Sequence, residues 1–465
     1  MNFFNTILTS FNDFLWTYVL VISLIVIGVY FTFKTNFVQF RYIKEMFRLL
    51  GDGVSNKEHD GVSSFQAFCI STASRVGTGN LAGIAIAISV GGAGAIFWMW
   101  LIALIGSASS FIESTLAQVY KIKDSSGTFR GGPAYYMEKG LKKKWMGVIF
   151  SILITITFGL IFNSVQSNTI ASAFNEAFKI NQLVIGIILT ILTALIIFGG
   201  IKRIAKVTEV IVPIMAVAYI GIALFVVIIN IKEIPSLIMN IIESAFGIKE
   251  VVGGSLGGIL LVGIKRGLFS NEAGMGSAPN AAATATVSHP VKQGLIQTLG
   301  VFTDTIIICS CTAFIILLSP IDLTSGATGI QLTQAALSSH VGSWGSYFIA
   351  ICILLFAFSS IIGNYYYGES NIEFLSKNKY TLVVYRILVI AMVFIGSIAS
   401  MDLVWTLADV FMGLMAISNL IAIVLLGNIA IKVLNDYRKQ KKAGIVDPVF
   451  KADSISGLEN IDEWK

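Results

Sequence analysis

Charge is scarce in this chain. Asp, Glu, Lys and Arg make up 12% of it, about half the roughly 25% of a soluble domain. There are three histidines, four cysteines and seven prolines in 465 residues. Each shortage excludes something. His59, His289 and His340 fall between apolar runs, where they read as solvated loop residues with no metal or catalytic spacing. A membrane enzyme needs a nucleophile–base pair or a metal cluster at membrane depth, and these histidines supply neither. Cys69, Cys309, Cys311 and Cys352 lie inside apolar runs. Cys309 and Cys311 are two apart and do not face each other on a helix, so all four read as small buried residues rather than as disulfides or metal ligands. The net charge of +6 is no nucleic-acid footprint, because it is dispersed over loops. No basic stretch precedes the first apolar run, and Lys34 follows it. That pattern predicts a retained first helix with its N-terminus outside, not a cleaved signal peptide.

What is abundant is apolar length. The chain is 55% hydrophobic, with a mean hydropathy of +0.81. Runs near 20 residues, enough to cross a bilayer, recur throughout. We place spans at about 13–33, 64–88, 96–120, 146–171, 183–200, 207–230, 254–282, 294–319, 345–367, 381–400 and 403–431. Lys and Arg concentrate in alternate loops: Lys34 to Lys57, Lys121 to Lys144, Lys202 to Lys206, Lys377 and Lys379, and the tail from Lys432. The opposite loops hold only Lys179, Lys232 and Lys249. The positive-inside rule then predicts a multi-pass protein of the plasma (inner) membrane, N-terminus outside and C-terminus cytoplasmic. The tail reads as polar and partly ordered at best.

Two spans are interrupted and echo one another. Arg75-Val76-Gly77-Thr78-Gly79-Asn80 and Arg266-Gly267-Leu268-Phe269-Ser270-Asn271 share an Arg-to-Asn interval, and each continues into Ala-Gly. Glu113 follows Asn80, and Asp304 follows Asn271, by the same interval (113 − 80 = 304 − 271). With the orientation above, the two segments enter from opposite sides. The fold class expected is an all-α polytopic membrane protein with 11 transmembrane helices, arranged as a five-plus-five inverted repeat preceded by one extra helix. The divisions are 1–63 (extra helix and cytoplasmic loop), 64–230 (first repeat), 231–253 (extracellular connector), 254–431 (second repeat) and 432–465 (cytoplasmic tail). A broken helix exposes N–H groups at one new end, which attract a carboxylate, and carbonyls at the other, which attract a cation. Close helix packing through small residues is the competing reading of the glycines.

The interrupted segments resemble a family. Gly77-Thr78-Gly79-Asn80 is similar to the Gly-x-Gly-Asn break in the first core helix of sodium-coupled amino-acid transporters. More narrowly, Ser71 to Gly83, Gly131-Gly132-Pro133-Ala134-Tyr135-Tyr136 and Asn271 to Pro279 resemble the alanine or glycine:cation symporters, within the amino acid–polyamine–organocation superfamily. The resemblance covers about residues 60 to 430. It implies symport of alanine or glycine with Na+, or less often H+, with no organic cofactor and no protein partner. In the wider superfamily an adjacent hydroxyl pair completes a sodium site, which here would be Ser359 and Ser360. Aligned on Gly77 to Asn80, the facing ligands would be the carbonyls of Ala73 and Val76, with that of Phe356 completing the set. Serine back-bonding to helix carbonyls is the alternative for the pair.

Other polar residues at membrane depth extend the candidate site. Gly77, Thr78, Gly79 and Asn80 would receive a substrate carboxylate. Asn163 and Gln166 share a helical face and can bond a substrate or another helix. Asn364 follows Ser360 by one turn. Phe269 and Gly274 would close a pocket too small for leucine. Glu113 and Asp304 need partners in lipid, and Arg75, Lys265 or Arg266 would supply them. Arg130, before Gly131-Gly132, is either a latch on the cytoplasmic side or a plain turn. A channel would require a symmetric pore lining, whereas paired helix breaks point to alternating access.

Overall fold

The structure is a computed structural model, and it describes residues 2–55, 61–124, 127–247, 255–323 and 326–464. His59, Lys57 and Lys249 lie outside the described residues. The chain is a set of apolar helices: α1 (Ile7–Lys34), α2 (Ile43–Ser55), α3 (Ser64–Arg75), α4 (Gly79–Gly91), α5 (Gly94–Val119), α6 (Pro133–Lys139), α7 (Lys144–Phe178), α8 (Gln182–Ile197), α9 (Gly200–Ile229), α10 (Ile234–Ala245), α11 (Leu256–Asn271), α12 (Ala278–Ala282), α13 (Pro290–Leu317), α14 (Gly329–Val341), α15 (Trp344–Leu375), α16 (Lys379–Ile398) and α17 (Met401–Lys442). A two-stranded hairpin, β1 (Ile122–Lys123) with β2 (Phe129–Arg130), follows α5.

Among the described residues, eight helices are long and apolar enough to cross a bilayer. The expected spans 64–88 and 254–282 fall instead on the pairs α3–α4 and α11–α12, because the chain leaves the helix between them. Helix starts follow local chemistry. Ser63 and Gln66 form a capping box at α3. Asn181 and Asn378 cap α8 and α16 with their side chains. Pro133 and Pro290 open α6 and α13, where no donor is needed.

Lipid decides which faces are apolar. On α9, Val210, Ile214 and Val217 point outward while Val212, Met215 and Tyr219 are buried, a spacing of three to four that lays one stripe on lipid and one on protein. The centre of the bundle is α5, against which α11 and the first half of α13 pack, and α7 packs on α15 and α16.

The tail is a correction. Helix α17 continues to Lys442, and the chain after it folds back against the bundle, with Phe450 and Trp464 buried at 3% and 7% exposure. The Trp464 indole donates to Gln118 O at 2.8 Å, and the Lys121 ammonium lies 4.8 Å from its ring. Lys139 pairs with Asp462 at 2.5 Å, and Lys292 with Asp447. His289 is a second correction. It is fully buried, its ring nitrogen caps Val291 N–H, and its ring meets Tyr437 and Phe450. Burial pushes its imidazole down to about 4, against the opposing pull of Asp436. Half-buried His340 bonds Ile315 O at 3.0 Å. Apolar residues without helical or strand period gave no sign of this docking.

Trp464→Ala removes the largest apolar anchor of the tail, a loss on the order of 3 kcal/mol or more. We expect limited proteolysis to cut residues 445–464 far faster, with the thermal unfolding midpoint of the membrane core unchanged. Equal protection of the variant tail would contradict this account.

Candidate functional site

The first break begins where Val76 turns extended (φ −80°, ψ 93°) and ends α3. Two of the freed N–H groups find side-chain acceptors. Gly77 N–H donates to Asn80 Oδ1 at 2.8 Å, and Thr78 N–H donates to Gln166 Oε1 at 2.9 Å. The approach is close. A Cβ on Gly77 would lie 2.2 Å from Ser360 Oγ, and one on Gly79 would lie 2.9 Å from a ring carbon of Phe269. Gly77, Thr78, Gly79, Asn80, Gln166, Phe269 and Ser360 therefore form one cluster drawn from α3–α4, α7, α11 and α15.

Beside it is a corner of neutral oxygens. Ser360 Oγ lies 2.8 Å from Ala73 O, 3.4 Å from Val76 O and 3.0 Å from Phe356 O, and Ser359 Oγ donates to Phe356 O at 2.8 Å. One hydroxyl proton cannot serve three carbonyls at once. Excess acceptors converging on a point are what a hard cation takes as ligands.

The second break carries three positive φ angles: Glu272 at 59°, Gly274 at 83° and Gly276 at 86°. Its freed amides go to a carboxylate. Gly274 N–H donates to Glu113 Oε1 and Gly276 N–H to Glu113 Oε2, each at 3.1 Å, and Asn419 Nδ2 donates to Oε2 at 2.7 Å. Asp304 serves the first break. It accepts from Asn80 Nδ2 at 2.7 Å and also from Ser270 and Thr305 hydroxyls. The arrangement is reciprocal, since the carboxylate that follows each break in sequence holds the other break.

Ion pairing of Glu113 or Asp304 with Arg75, Lys265 or Arg266 was the expectation, and the structure corrects it. Backbone amides, amide side chains and hydroxyls are nearer and satisfy both oxygens of each carboxylate. Arg266 pairs with Asp409 at 2.7 Å, and Lys265 reaches the same oxygen at 3.4 Å. Buried Arg75 donates to Gln297 O at 3.2 Å.

The remaining candidates scatter. Phe269, already placed in the cluster by its contact with Gly79, is also sandwiched between Phe162 (4.6 Å) and Trp405 (4.8 Å) in an aromatic layer. The Arg266 guanidinium lies 4.6 Å from the Trp405 ring, over this layer. Asn163 Nδ2 bonds Gly159 O of its own helix at 3.0 Å and does not join Gln166 at Thr78. Gly274 faces Leu420 and Ser109, away from the first break. Asn364 Oδ1 lies 2.7 Å from Ser74 Oγ. Arg130 joins Asp124 (3.0 Å) and Glu373 (2.6 Å), linking the β1–β2 hairpin to the end of α15. Trp405, Asp409, Asn419, Ser74 and Glu272 were not among the candidates. Asn419 is an amide in the middle of an apolar run, and that signal would have found it.

Two interrupted helices, back to back in a bundle of apolar spans and bracketing a polar cluster, define a membrane transporter rather than an enzyme. Solved structures share this fold. MhsT, crystallised in complex with L-phenylalanine, superposes with a TM-score of 0.53 at 15% identity, covering 80% of this chain and 97% of that one. The sequence narrows the class further. Residues 1–452 match the profile of the sodium:alanine symporter family, and the chain belongs to that family. It is 60% identical over 453 residues to the probable sodium/glutamine symporter GlnT of Bacillus subtilis (97% of this chain, 94% of that protein). It is 58% identical over 464 residues to the amino-acid carrier protein AlsT of the same organism (100% and 98%).

Glu113→Leu strands the amides of Gly274 and Gly276, at about 1–3 kcal/mol for each group left unpaired, and takes from Asn419 Nδ2 one of its two acceptors. The thermal midpoint in detergent should fall by many degrees, and Glu113→Gln should lose less. An unchanged midpoint for the leucine variant would remove Glu113 from its role at the break.

Proposed function

We propose that this protein is a secondary active symporter that imports a small neutral amino acid, alanine or glycine, coupled to Na+ by alternating access. The observation that carries the reading is the convergence of the Ala73, Val76 and Phe356 carbonyls on Ser360, one residue from the amides that open the first break. In this reading the amides of Gly77, Thr78 and Gly79 receive the substrate carboxylate, with Gln166 exchanging its bond to Thr78. Phe269, Phe162 and Trp405 roof the site. Asn163 and Asn364 are assigned to its outer wall, whereas Gly274, expected there, belongs to the second break. Ala73, Val76, Phe356, Ser359 and Ser360 bind Na+ as co-substrate.

The same reading takes residues 64–230 and 254–431 as inverted repeats, flanked by 1–63, a 231–253 connector and a 432–465 tail. The reciprocal hold of Glu113 and Asp304 supports it. With the N-terminus outside and the C-terminus cytoplasmic, the Arg266–Asp409 pair closes the outer side and Arg130 the inner.

The coupling ion sets the energetics. Alanine is a net-neutral zwitterion and by itself draws nothing from the membrane potential. One Na+ moving inward adds ~2.3 kcal/mol per 100 mV, and a tenfold gradient adds ~1.4 kcal/mol. Together they support accumulation of about 500-fold. Ser360→Ala should raise the Na+ concentration for half-maximal uptake strongly, with alanine affinity recovering at high Na+, because the two ligands must affect each other equally. Full-rate uptake on a pH gradient without Na+ would reject this ion site in favour of proton coupling through the buried carboxylates Glu113 or Asp304.

A second substrate reading comes from the relative described as a probable sodium/glutamine symporter. The unpartnered Asn163 Oδ1 and Asn364 Nδ2 are groups a carboxamide can bond. Competition against labelled alanine separates the two readings. Glycine alone competing favours the small pocket, glutamine competing favours the carboxamide, and leucine competing defeats both. Gly77→Ala should abolish binding of either, since its Cβ falls on Ser360 Oγ.

A further inference from the structure

Three buried carboxylates lie near the breaks, and two have their oxygens taken up by holding them. Glu272 does not. Its Oε2 accepts from Ser277 Oγ at 2.6 Å, and its Oε1 faces Ser74 Oγ at 2.8 Å. Ser74 adjoins Ala73, whose carbonyl is a candidate cation ligand. Ser74 Oγ also lies 2.7 Å from Asn364 Oδ1, one turn beyond Ser360. Glu272 is 1% exposed, in a left-handed conformation that L side chains rarely adopt. It thus connects the second break, the end of α3 and the hydroxyl-bearing stretch of α15.

The cation corner itself is neutral, built from carbonyls and hydroxyls. A monovalent cation there, inside a membrane, is held more tightly when a negative charge lies nearby. We propose that Glu272 supplies that charge, as a positioning residue that acts on the cation through Ser74 and Asn364. This rests on the reading of Ala73, Val76, Phe356, Ser359 and Ser360 as the Na+ site.

Proton counting at Ser74 gives the linkage its form. Ser74 has one hydroxyl proton and stands between two acceptor atoms as oriented. Asn364 Nδ2 has no partner, and amide orientation is an assignment open to reversal. Two arrangements match donor to acceptor on both sides of Ser74 Oγ. In the first, Glu272 is ionised and takes the Ser74 proton, while Asn364 turns so that its Nδ2 donates to Ser74 Oγ. In the second, Glu272 is protonated and donates to Ser74, which donates to Asn364 Oδ1. Cation binding favours the first, and acid favours the second. Na+ and H+ therefore compete without sharing a site. The other charged or titratable groups near Glu272 are Arg75 of α3, Asp304 of α13 and Tyr367 of α15. Glu113 of α5 reaches the same break through Gly274 and Gly276.

The test is Na+ binding to the purified full-length protein in detergent, followed by calorimetry from about pH 5.5 to about pH 8.5, with Na+ alone as the probe. Wild type should bind more weakly toward acid. Glu272→Gln should weaken binding about tenfold at neutral pH, within the usual range of coupling between sites, and should flatten the pH profile. Ser74→Ala, which keeps the charge and cuts the link, should weaken binding less and also alter the profile; it serves if the glutamine variant does not fold. Wild-type affinity and pH dependence in both variants, with Ser360→Ala impaired, would overturn the role of Glu272 and leave the cation site standing. Normal Na+ binding by Ser360→Ala would instead overturn the cation site itself.

Discussion

A helix interrupted inside a membrane leaves backbone N–H and C=O groups that no water can reach, at several kcal/mol for each one unsatisfied. Most of the polar architecture here answers that constraint. Asn80 Oδ1 and Gln166 Oε1 serve the amides of the first break. Glu113 serves those of the second, with Asn419 accepting no burden of charge but bridging Glu113 to Gly274 O at 2.9 Å. Ser360 gathers the carbonyls that α3 leaves behind. On the proposed reading, substrate and cation chemistry fall where the backbone is already short of partners, so a ligand would replace an internal bond instead of forming one in a previously apolar space.

The same economy explains why the charges are few and where they sit. Glu113, Glu272 and Asp304 outnumber Arg75 at the level of the breaks, and all four are fully or almost fully buried. Lys265, Arg266 and Asp409 form a separate group beyond the aromatic layer of Phe162, Phe269 and Trp405. That layer separates a charge-paired region from the polar cluster beneath it. Trp405 is common to both, packing on Phe269 and carrying the Arg266 guanidinium over its ring.

Much of this was legible in the sequence, and the reasons are local. Glycines in the middle of an apolar run can serve close packing, but an asparagine beside them has no such reason to be there, so both breaks could be read. A hydroxyl pair in an apolar helix singled out Ser359 and Ser360 for the same reason. Residue partners were harder. Lys265 and Arg266 take Asp409, some 140 positions away, and only tertiary geometry reveals that choice. Glu272 lies within the second interrupted segment, but nothing local gave it a role, because its partners Ser74 and Ser277 are set by the fold. Asn163 and Gln166 share a face, yet a slight rotation turns one to its own helix and the other to Thr78. The folded-back tail was illegible because Phe450 and Trp464 are isolated apolar residues in a polar stretch with no period.

The crosswise hold of the two breaks also bears on how the protein is made. Asn80 Nδ2 has its partner, Asp304, 224 residues further along the chain. At about 5–20 residues per second of synthesis, the first break waits roughly 10–45 s for the carboxylate that completes it. Glu113 waits for Gly274 over 161 residues, on a comparable timescale. During that interval the first five spans cannot settle into lipid as a finished unit. Their interrupted segment must stay hydrated, or sheltered by the insertion machinery, until the second set arrives. The assembly step is thus a late joining of two incomplete bundles rather than the docking of two folded ones.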